Sequence, residues 1–325
     1  MIQNSKLMTR KQKRLIFYIL IVALPVLHFC IFYFYVRFNS ITMSIQKYTP
    51  LNTTGAWAAQ SGGYMISYTL DNFVVAFKTI IQNAYMIKNS FLLVVLELLV
   101  GYSLGTIFSF YIYKKYPGAT VFKLILFLPN IISSLIFSLL FKMLVSEGYM
   151  AISVALTGTK PALGLLENPN TQLGALLFYC IWLGFGVKVL MFSSAMSGID
   201  ESLVESAHLD GAGIVQEFFK ITIPMIWPTL STFIVLTVAT LMTTQMNLYT
   251  MFELYAPEKA QTFGYYLYVQ ATASDVYVTP GNSIAGIPIL NYPQLSAIGL
   301  ILTMIMLPIT LLLRKGLSKF GPSVE

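Results

Sequence analysis

The sequence predicts an all-α integral membrane protein with six transmembrane helices. Of its 325 residues, 56% are hydrophobic and only 10% are charged, and the mean hydropathy is +0.72. Soluble domains carry about 25% charged residues, which cover the surface that faces water. The apolar residues also fall in six long stretches, and lysines and arginines collect between alternate stretches. Lipid is therefore expected to cover much of this chain.

Each apolar stretch is about 20 residues or longer, which at ~1.5 Å per residue crosses a hydrocarbon core of ~30 Å. The six predicted spans are 15–36, 90–112, 124–145, 173–196, 223–248 and 294–313. They are expected to be helices, because backbone polar groups in lipid must pair within their own segment. The first is too long for the apolar core of a signal peptide, and Arg37 follows it without a cleavage site of small residues.

The basic residues predict the orientation of the chain. With both termini in the cytoplasm, the inner segments hold twelve lysines and arginines, including those of a basic N-terminus at 1–14 and a basic tail at 314–325. The outer segments, roughly twice as long, hold six. This bias predicts an N-in, C-in topology, and it explains the formal net charge of +7 without a nucleic-acid partner.

Three long outer loops are predicted at 37–89, 146–172 and 249–293, and a core membrane domain is predicted at 90–313. The first loop contains a short interfacial helix over 71–78, with an acidic residue near its N-terminus. The sequence shows no internal repeat of the kind found in the inverted halves of secondary transporters.

The inner loop at 199–224, called the acidic loop below, contains five of the thirteen acidic residues. It predicts a first helix over 200–209 and a sharp turn at Gly211 and Gly213. A second helix is predicted to begin near Ile214. Its apolar residues Ile214, Phe218 and Ile221 recur at helical spacing, and Pro224 and Pro228 stand at the start of the next span.

The acidic loop resembles the EAA motif of binding-protein-dependent ABC permeases, which reads E-A-A, three residues, G, nine residues, I, one residue, L-P. The matching residues are Glu205, Ser206, Ala207, Gly211, Ile221, Ile223 and Pro224, with Asp210-Gly211-Ala212 as the D-G-A that also belongs to the motif. Ser206 and Ile223 are conservative departures. The resemblance covers roughly residues 80–325 and is closest to the sugar branch, to its maltose-F-like and glycerol-phosphate-A-like subunits.

Two further segments resemble that branch. Phe127-Leu128-Pro129 is similar to the opening of its third span, and 253–268 is similar to an outer loop written T-GGP---T---YIY. Ala256-Pro257-Glu258 replaces the GGP, which leaves the substrate subclass open.

The resemblance implies a type I ABC importer permease in a bacterial cytoplasmic membrane, carrying a sugar or oligosaccharide. It also implies a second homologous permease, two ATPase subunits and an extracytoplasmic binding protein. The chain has no G-x-x-x-x-G-K-[ST] motif, so ATP and Mg are expected on the ATPase partner, and this subunit is expected to be non-catalytic and to bind no cofactor.

In such permeases the acidic loop is a coupling helix that docks on the ATPase. The implied coupling residues are Glu205, Ser206, Ala207, Asp210, Gly211, Ile214, Phe218, Ile221 and Pro224. Phe218 and Ile214 are the expected apolar anchors, and Glu205 is the expected polar contact.

Polar residues inside the predicted spans are candidates for the substrate pathway. Lys188 and Glu97 each cost at least ~2.5 kcal/mol to insert, so they should face protein or a watered cavity. Lys188 is equally compatible with substrate binding and with a structural pair, and a structural role is favoured for Glu97. In a continuous fifth helix, Gln245 and Tyr249 would share a face and Thr243 and Asn247 a neighbouring one.

The amides and hydroxyls of residues 243–249 suit recognition of a neutral polyol, and they also suit hydrogen bonds between helices. Trp182 could stack on a sugar ring or pack between helices. Two alternatives stay open: an ABC permease for a non-sugar solute, or an ion-coupled secondary transporter using Glu97 and Lys188. No metal site is predicted, because the two histidines fall in different compartments and no cysteine joins them.

Overall fold

A computed structural model describes residues 9–51, 63–275, 278, 281–284 and 287–319 of the chain. The helices are α1 (Arg10–Ser44), α2 (Asp71–Gln82), α3 (Ala84–Tyr113), α4 (Ala119–Ile131), α5 (Ser134–Thr157), α6 (Gln172–Met196), α7 (Glu201–Leu209), α8 (Ile214–Ala239), α9 (Leu248–Phe252), α10 (Phe263–Ala273) and α11 (Tyr292–Leu317). The strands are β1 (Gln46–Pro50), β2 (Tyr64–Tyr68), β3 (Ser283–Ile284) and β4 (Ile287–Pro288). The predicted basic ends, 1–14 and 314–325, lie partly outside the described residues.

Within this part of the chain, six helices are long and apolar enough to cross a membrane: α1, α3, α5, α6, α8 and α11. Their number confirms the six predicted spans, but two of the predicted boundaries are wrong. The third span was expected at 124–145, whereas the chain breaks between α4 and α5 at Ile132, whose backbone is extended. Pro129 lacks an N–H group, which weakens the last turn of α4 just before the break.

The fifth span is also shorter than expected. It was predicted to run to residue 248, but α8 ends at Ala239. Residues 240–247 form a turn, in which Met246 and Asn247 have positive φ angles of 51° and 53°. Contacts from distant residues account for this turn, and they are described with the site.

The described residues fall into two compact units. The first unit contains the described residues of 1–77, 274–279 and 290–301. It contains α1, whose most apolar window buries no residue, and the antiparallel hairpin β1–β2, in which Gln46 pairs with Tyr68. The Asn72 amide donates to the Ser44 and Gln46 carbonyls, both at 2.9 Å, and so joins α1 and β1 to the start of α2. A helix begins at Asp71, where one was predicted, and its place at the membrane interface stays a prediction.

The second unit takes in the described residues of 78–273, 280–289 and 302–325, and it contains two apolar clusters. Residues 93, 137, 141, 176, 179, 248 and 251 belong to the first cluster, and residues 102, 110, 192, 196, 204, 226 and 230 to the second. Helix α3 contributes to both, with Leu93 in the first and Tyr102 and Phe110 in the second. Glu97 lies between these positions along the helix.

Glycines allow close helix contacts in the second unit. A Cβ atom at Gly186 of α6 would lie 2.8 Å from the Leu126 carbonyl oxygen and 2.9 Å from the Phe127 Cα of α4. On α3, the Ser109 hydroxyl donates to the Val189 carbonyl of α6 at 3.2 Å. Small residues and hydroxyls of this kind are typical of membrane helix interfaces. They hold α3, α4 and α6 together around the site.

Candidate functional site

A cavity of about 500 Å³ lies within the second unit, in the size range of small-molecule sites. Its lining consists of residues 93, 94, 97, 130, 180, 183, 184, 237, 240 and 244–247. The neutral polar side chains among these are three threonines, two asparagines and one glutamine. Hydroxyls and amides set in apolar walls suit a hydroxylated solute. We call this space the polar cavity.

Glu97 and Lys188, singled out separately by the sequence, form an ion pair. Their side chains are only 14% and 8% exposed, and the Lys188 ammonium also lies 5.8 Å from the ring centroid of Tyr102. Glu97 lines the polar cavity and Lys188 does not. Glu97 Oε2 is buried and has no hydrogen-bond partner among the described residues. The two buried charges compensate each other, so Lys188 has the pairing that the sequence left open beside a role in substrate binding.

The predicted helical faces of residues 243–249 are wrong, because this segment turns instead of continuing α8. Gln245 and Asn247 nevertheless line the polar cavity, and their role in a substrate pathway stays a prediction. Thr243 is exposed and does not line it, and Tyr249 packs edge-to-face on Tyr268 with ring centroids 4.7 Å apart. The predicted set therefore divides into two cavity residues and two that face elsewhere.

The cavity turn at 240–247 is held by the start of α10. The Thr262 hydroxyl donates to the Thr244 carbonyl at 2.8 Å. A Cβ atom at Gly264 would lie 2.4 Å from both the Thr243 carbonyl carbon and the Thr244 carbonyl oxygen, so only glycine permits this approach. Met246, itself buried, adopts the left-handed backbone of the turn. Contacts with residues about 20 positions later thus override the helical pattern of the fifth span.

The segment between α9 and α10 is fastened by buried side chains. The Ala256 N–H donates to the Tyr265 hydroxyl at 3.2 Å, and that hydroxyl donates to the Glu253 carbonyl at 2.8 Å. Burial of this ring raises the pKa of Tyr265. The Asn89 amide of α3 donates to the carbonyls of Lys259 and Gln261, at 3.0 and 2.8 Å. These bonds order the segment in which Ala256-Pro257-Glu258 replaces the GGP.

Trp182 belongs to an aromatic group and does not line the polar cavity. The centroid of its ring lies 5.1 Å from that of Phe137 and 5.8 Å from that of Phe178.

Sequence reasoning missed two residues that line the polar cavity, Asn130 and Thr237. The Asn130 amide donates to the Leu183 carbonyl at 3.1 Å, and the Thr237 hydroxyl shares a 2.7 Å hydrogen bond with the Tyr102 hydroxyl.

A threonine pattern could have revealed part of the missed lining. Threonines stand at 237, 240 and 244, three and four residues apart, in a stretch that is apolar apart from them and Thr243. All three line the polar cavity. A polar stripe at this spacing is typical of one face of a continuous helix. Here only the first of the three threonines lies in α8, and the other two lie in the turn that follows it.

The acidic loop has the predicted helix, turn and helix. Asp200 caps α7, because its carboxylate accepts from the Ser202 backbone N–H at 3.0 Å and from the Ser202 hydroxyl at 2.8 Å. These hydrogen bonds lower the pKa of Asp200. Gly211 has a φ of +84°, and the Ala212 N–H donates to the Ala207 carbonyl at 2.9 Å, which closes the helix end.

The second helix of the acidic loop does not stop before the fifth span. It begins at Ile214, as predicted, and continues through Pro224 and Pro228 to Ala239. A wider π-helical turn covers Phe218–Thr222 just before Pro224. Proline has no N–H group to donate, and a local π turn is one way for a helix to accommodate it.

Coupling residues of the acidic loop are exposed to different degrees. Glu205, Ser206 and Asp210 are exposed. Of the two expected anchors, Ile214 is 56% exposed, whereas Phe218 is half-buried with its ring 5.0 Å from that of Phe110. Phe218 therefore packs within the chain.

Three apolar side chains of the loop not singled out from the sequence are more exposed than Ile214. Leu209 is 89% exposed, Val215 is 69% exposed and Phe219 is 61% exposed.

Sequence reasoning also missed Glu217 in α8, which is fully buried and contacts Lys114 and His208. The available signal was its place beside Phe218 in the apolar stripe of the loop, where a solvated carboxylate is not expected.

The described residues thus combine six candidate membrane spans, a polar cavity and a capped loop with exposed apolar side chains. No family model matches the chain. It is 30% identical to the maltose/maltodextrin transport system permease protein MalF of Salmonella typhimurium over 191 residues, 55% of this chain and 36% of MalF. It is 31% identical to the multiple sugar-binding transport system permease protein MsmF of Streptococcus mutans over 141 residues, 43% of this chain and 49% of MsmF. The chain thus spans about a third of the length of MalF.

The fold is similar to that of a chain in a bacterial ABC transporter involved in the import of the acidic polysaccharide alginate. The TM-score is 0.69 at 20% identity, over 95% of this chain and 96% of the other. A chain of a bacterial alginate ABC transporter, solved in complex with an alginate pentasaccharide-bound periplasmic protein, has a TM-score of 0.68 at 20% identity, over 93% of this chain and 94% of the other. The predicted resemblance is confirmed: this multi-pass protein of the cytoplasmic membrane has an ABC importer permease fold and is related to sugar ABC permeases.

Proposed function

We propose that this chain is the permease subunit of an ABC importer and translocates a sugar or oligosaccharide delivered by an extracytoplasmic binding protein. The observation that carries the proposal is the polar cavity, whose neutral hydroxyls and amides lie inside a bundle related to sugar permeases. Hydroxyl-rich solutes require many donors and acceptors, and the lining supplies both.

The cavity chemistry favours a neutral sugar over an acidic one. The amide groups of Asn130, Gln245 and Asn247 can each donate to and accept from sugar hydroxyls. Lys188, which could otherwise attract a carboxylate, is neutralised by Glu97 and stays outside the lining. A carboxylate in this cavity would lose water without gaining an unpaired cation.

The proposed partners are those that the resemblance to type I importer permeases implies. They are a second homologous permease and two ATPase subunits, which would supply the ATP and Mg chemistry for which this chain has no phosphate-binding motif. With N-in, C-in topology, the acidic loop faces the cytoplasm. Leu209, Ile214 and Val215 then serve as exposed apolar contacts for an ATPase, and Glu205 and Asp210 set the register.

In this proposal, transport is a two-state equilibrium. Closure of the ATPases around ATP displaces the acidic loop, and access to the polar cavity changes from one side of the membrane to the other. The role of this subunit is to bind the sugar and to transmit the displacement.

The first test is co-purification of the ATPase with matched glycine variants. A Cβ atom at Gly211 or Gly213 meets nothing within 4 Å, but φ is +84° at Gly211 and −77° at Gly213. Gly211→Val strains the turn by ~1–2 kcal/mol, so the recovered ATPase should fall about tenfold, whereas Gly213→Val should keep it. Equal loss in both variants, or recovery of no ATPase with wild type, would contradict docking through this loop.

The second test is reconstitution of the purified complex in proteoliposomes with binding protein and labelled maltodextrin. ATP-dependent uptake is expected, with little uptake of an acidic oligosaccharide. Uptake without ATP that a protonophore abolishes would support an ion-coupled transporter using Glu97 and Lys188. ATP-dependent uptake of a non-sugar solute alone would keep the ABC assignment and reject the cargo.

A further inference from the structure

Glu217 is a buried carboxylate in the acidic loop. Its side chain is 0% exposed, and both oxygens meet cationic or protonatable groups. Lys114 Nζ lies 2.5 Å from Oε1, and His208 Nε2 lies 2.9 Å from Oε2. We call these three residues the Glu217 cluster.

The Glu217 cluster joins three separate elements. Lys114 directly follows α3, His208 lies in α7, and Glu217 lies in the first turn of α8. The left-handed turn at Gly211 separates α7 from α8, so the cluster links both arms of the acidic loop to the end of α3. The half-buried ring of Phe218, beside Glu217, packs edge-to-face on Phe110 of α3 and reinforces this link.

The same helix reaches the polar cavity at its other end. Leu93, Val94 and Glu97 of α3 line the cavity, and Glu97 pairs with Lys188. Helix α3 therefore carries one buried ion pair beside the cavity and another beside the acidic loop. From Glu97 to Lys114, a helical rise of ~1.5 Å per residue gives a separation of roughly 25 Å.

A buried carboxylate is strongly unfavourable without its partners. A displacement that separated Glu217 from Lys114 would leave both charges poorly solvated, since Lys114 is only 19% exposed. The acidic loop and the end of α3 are therefore expected to move together. His208 is 48% exposed and can leave the carboxylate at less cost, which makes Lys114 the main partner.

We infer that Glu217 is a positioning residue that couples the acidic loop to α3, so that displacement of the loop is transmitted to the wall of the polar cavity. This inference rests on the proposed function, because transmission matters only if an ATPase moves the loop. It assigns Glu217 a role that contact with the ATPase does not require, since the side chain is buried within the chain.

The test uses the complete transporter in proteoliposomes and measures ATP hydrolysed per sugar imported. Glu217→Gln should leave ATPase co-purification unchanged and raise this ratio about fivefold or more, the range of a typical coupling free energy. Lys114→Gln should act in the same direction, whereas the double variant, which removes both charges, should recover part of the coupling. Lys115→Gln is the matched control: Lys115 is adjacent and exposed, and it has no ion pair among the described residues.

Three outcomes would overturn the inference. The first is a wild-type ratio in Glu217→Gln with normal ATPase binding. The second is a double variant as uncoupled as the worse single variant, and the third is loss of ATPase binding in both single variants, which would place the cluster in docking. Misfolding of Glu217→Gln, seen as aggregation on size exclusion, leaves Lys114→Gln and the double variant to decide. A wild-type chain that binds no ATPase would instead reject the proposed function.

Discussion

The polar cavity and the acidic loop are positioned by different means. The cavity turn rests on backbone-to-backbone contact, since Gly264 meets the Thr243 and Thr244 carbonyl groups with no space for a Cβ atom. The acidic loop has exposed residues on both arms, and Glu217 is its one fully buried acidic side chain. Dense packing resists displacement, whereas a loop held by few contacts can move as a body. We therefore expect the cavity turn to resist displacement more strongly than the acidic loop does.

Breaking the ion pair beside the cavity should have the largest effect. Glu97→Gln leaves Lys188 buried without its anion, which typically costs about 3 kcal/mol or more. Thermal unfolding in detergent should show the loss. The double variant Glu97→Gln/Lys188→Met should be more stable than Glu97→Gln, and Glu147→Gln, at an exposed position, should be neutral. A double variant no more stable than the single one would mean that the pair does not compensate charge.

Adding a methyl group where Gly264 contacts the cavity turn should cause the second-largest loss of stability. Gly264→Ala places a methyl group 2.4 Å from backbone atoms that cannot rotate away, so we expect a loss of about 1–3 kcal/mol. Gly174→Ala is the control, because a Cβ atom there meets nothing within 4 Å and alanine favours a helix. The same unfolding assay compares the two variants. Equal stabilities would show that the cavity turn can shift to accommodate the methyl group.

Removing one hydroxyl from the cavity should weaken sugar binding without unfolding the chain. Thr244→Val keeps the shape of the side chain and deletes a possible hydrogen bond worth ~1 kcal/mol, so KM for uptake should rise about fivefold. Thr243→Val changes an exposed neighbour that does not line the cavity, and it should leave KM unchanged. A larger rise in KM for Thr243→Val than for Thr244→Val would show that the sugar binds outside this cavity.

The smallest effect concerns the cap of the acidic loop. The Asp200 pKa is lowered from 3.8 by its hydrogen bonds to Ser202, so the cap stabilises α7 at neutral pH. Its contribution is lost as the pH falls through the folded-state pKa, below 3.8. Amide exchange at Ser202, corrected for its intrinsic rate, should therefore accelerate in that window. Asp200→Asn keeps an acceptor but should remove the pH dependence.

Features that depend on near neighbours were predictable. The six spans follow from long apolar stretches, and the helix, turn and helix of the acidic loop follow from Asp200 as a cap and Gly211 at a positive φ. The resemblance to sugar permeases was predictable for the same reason, since it rests on a pattern along the chain, and the related permeases MalF and MsmF confirm it.

Features that depend on distant residues were not predictable. The sequence by itself determined that Glu97 and Lys188 are costly in a membrane, but only the tertiary structure brought α3 and α6 together and made them a pair. Likewise, the sequence of 223–248 does not predict that α8 ends at Ala239, because the turn that follows is held by the distant residues Thr262 and Gly264. Local chemistry decides which segments are helical and apolar, whereas packing between distant segments decides where a helix stops and which buried charges meet.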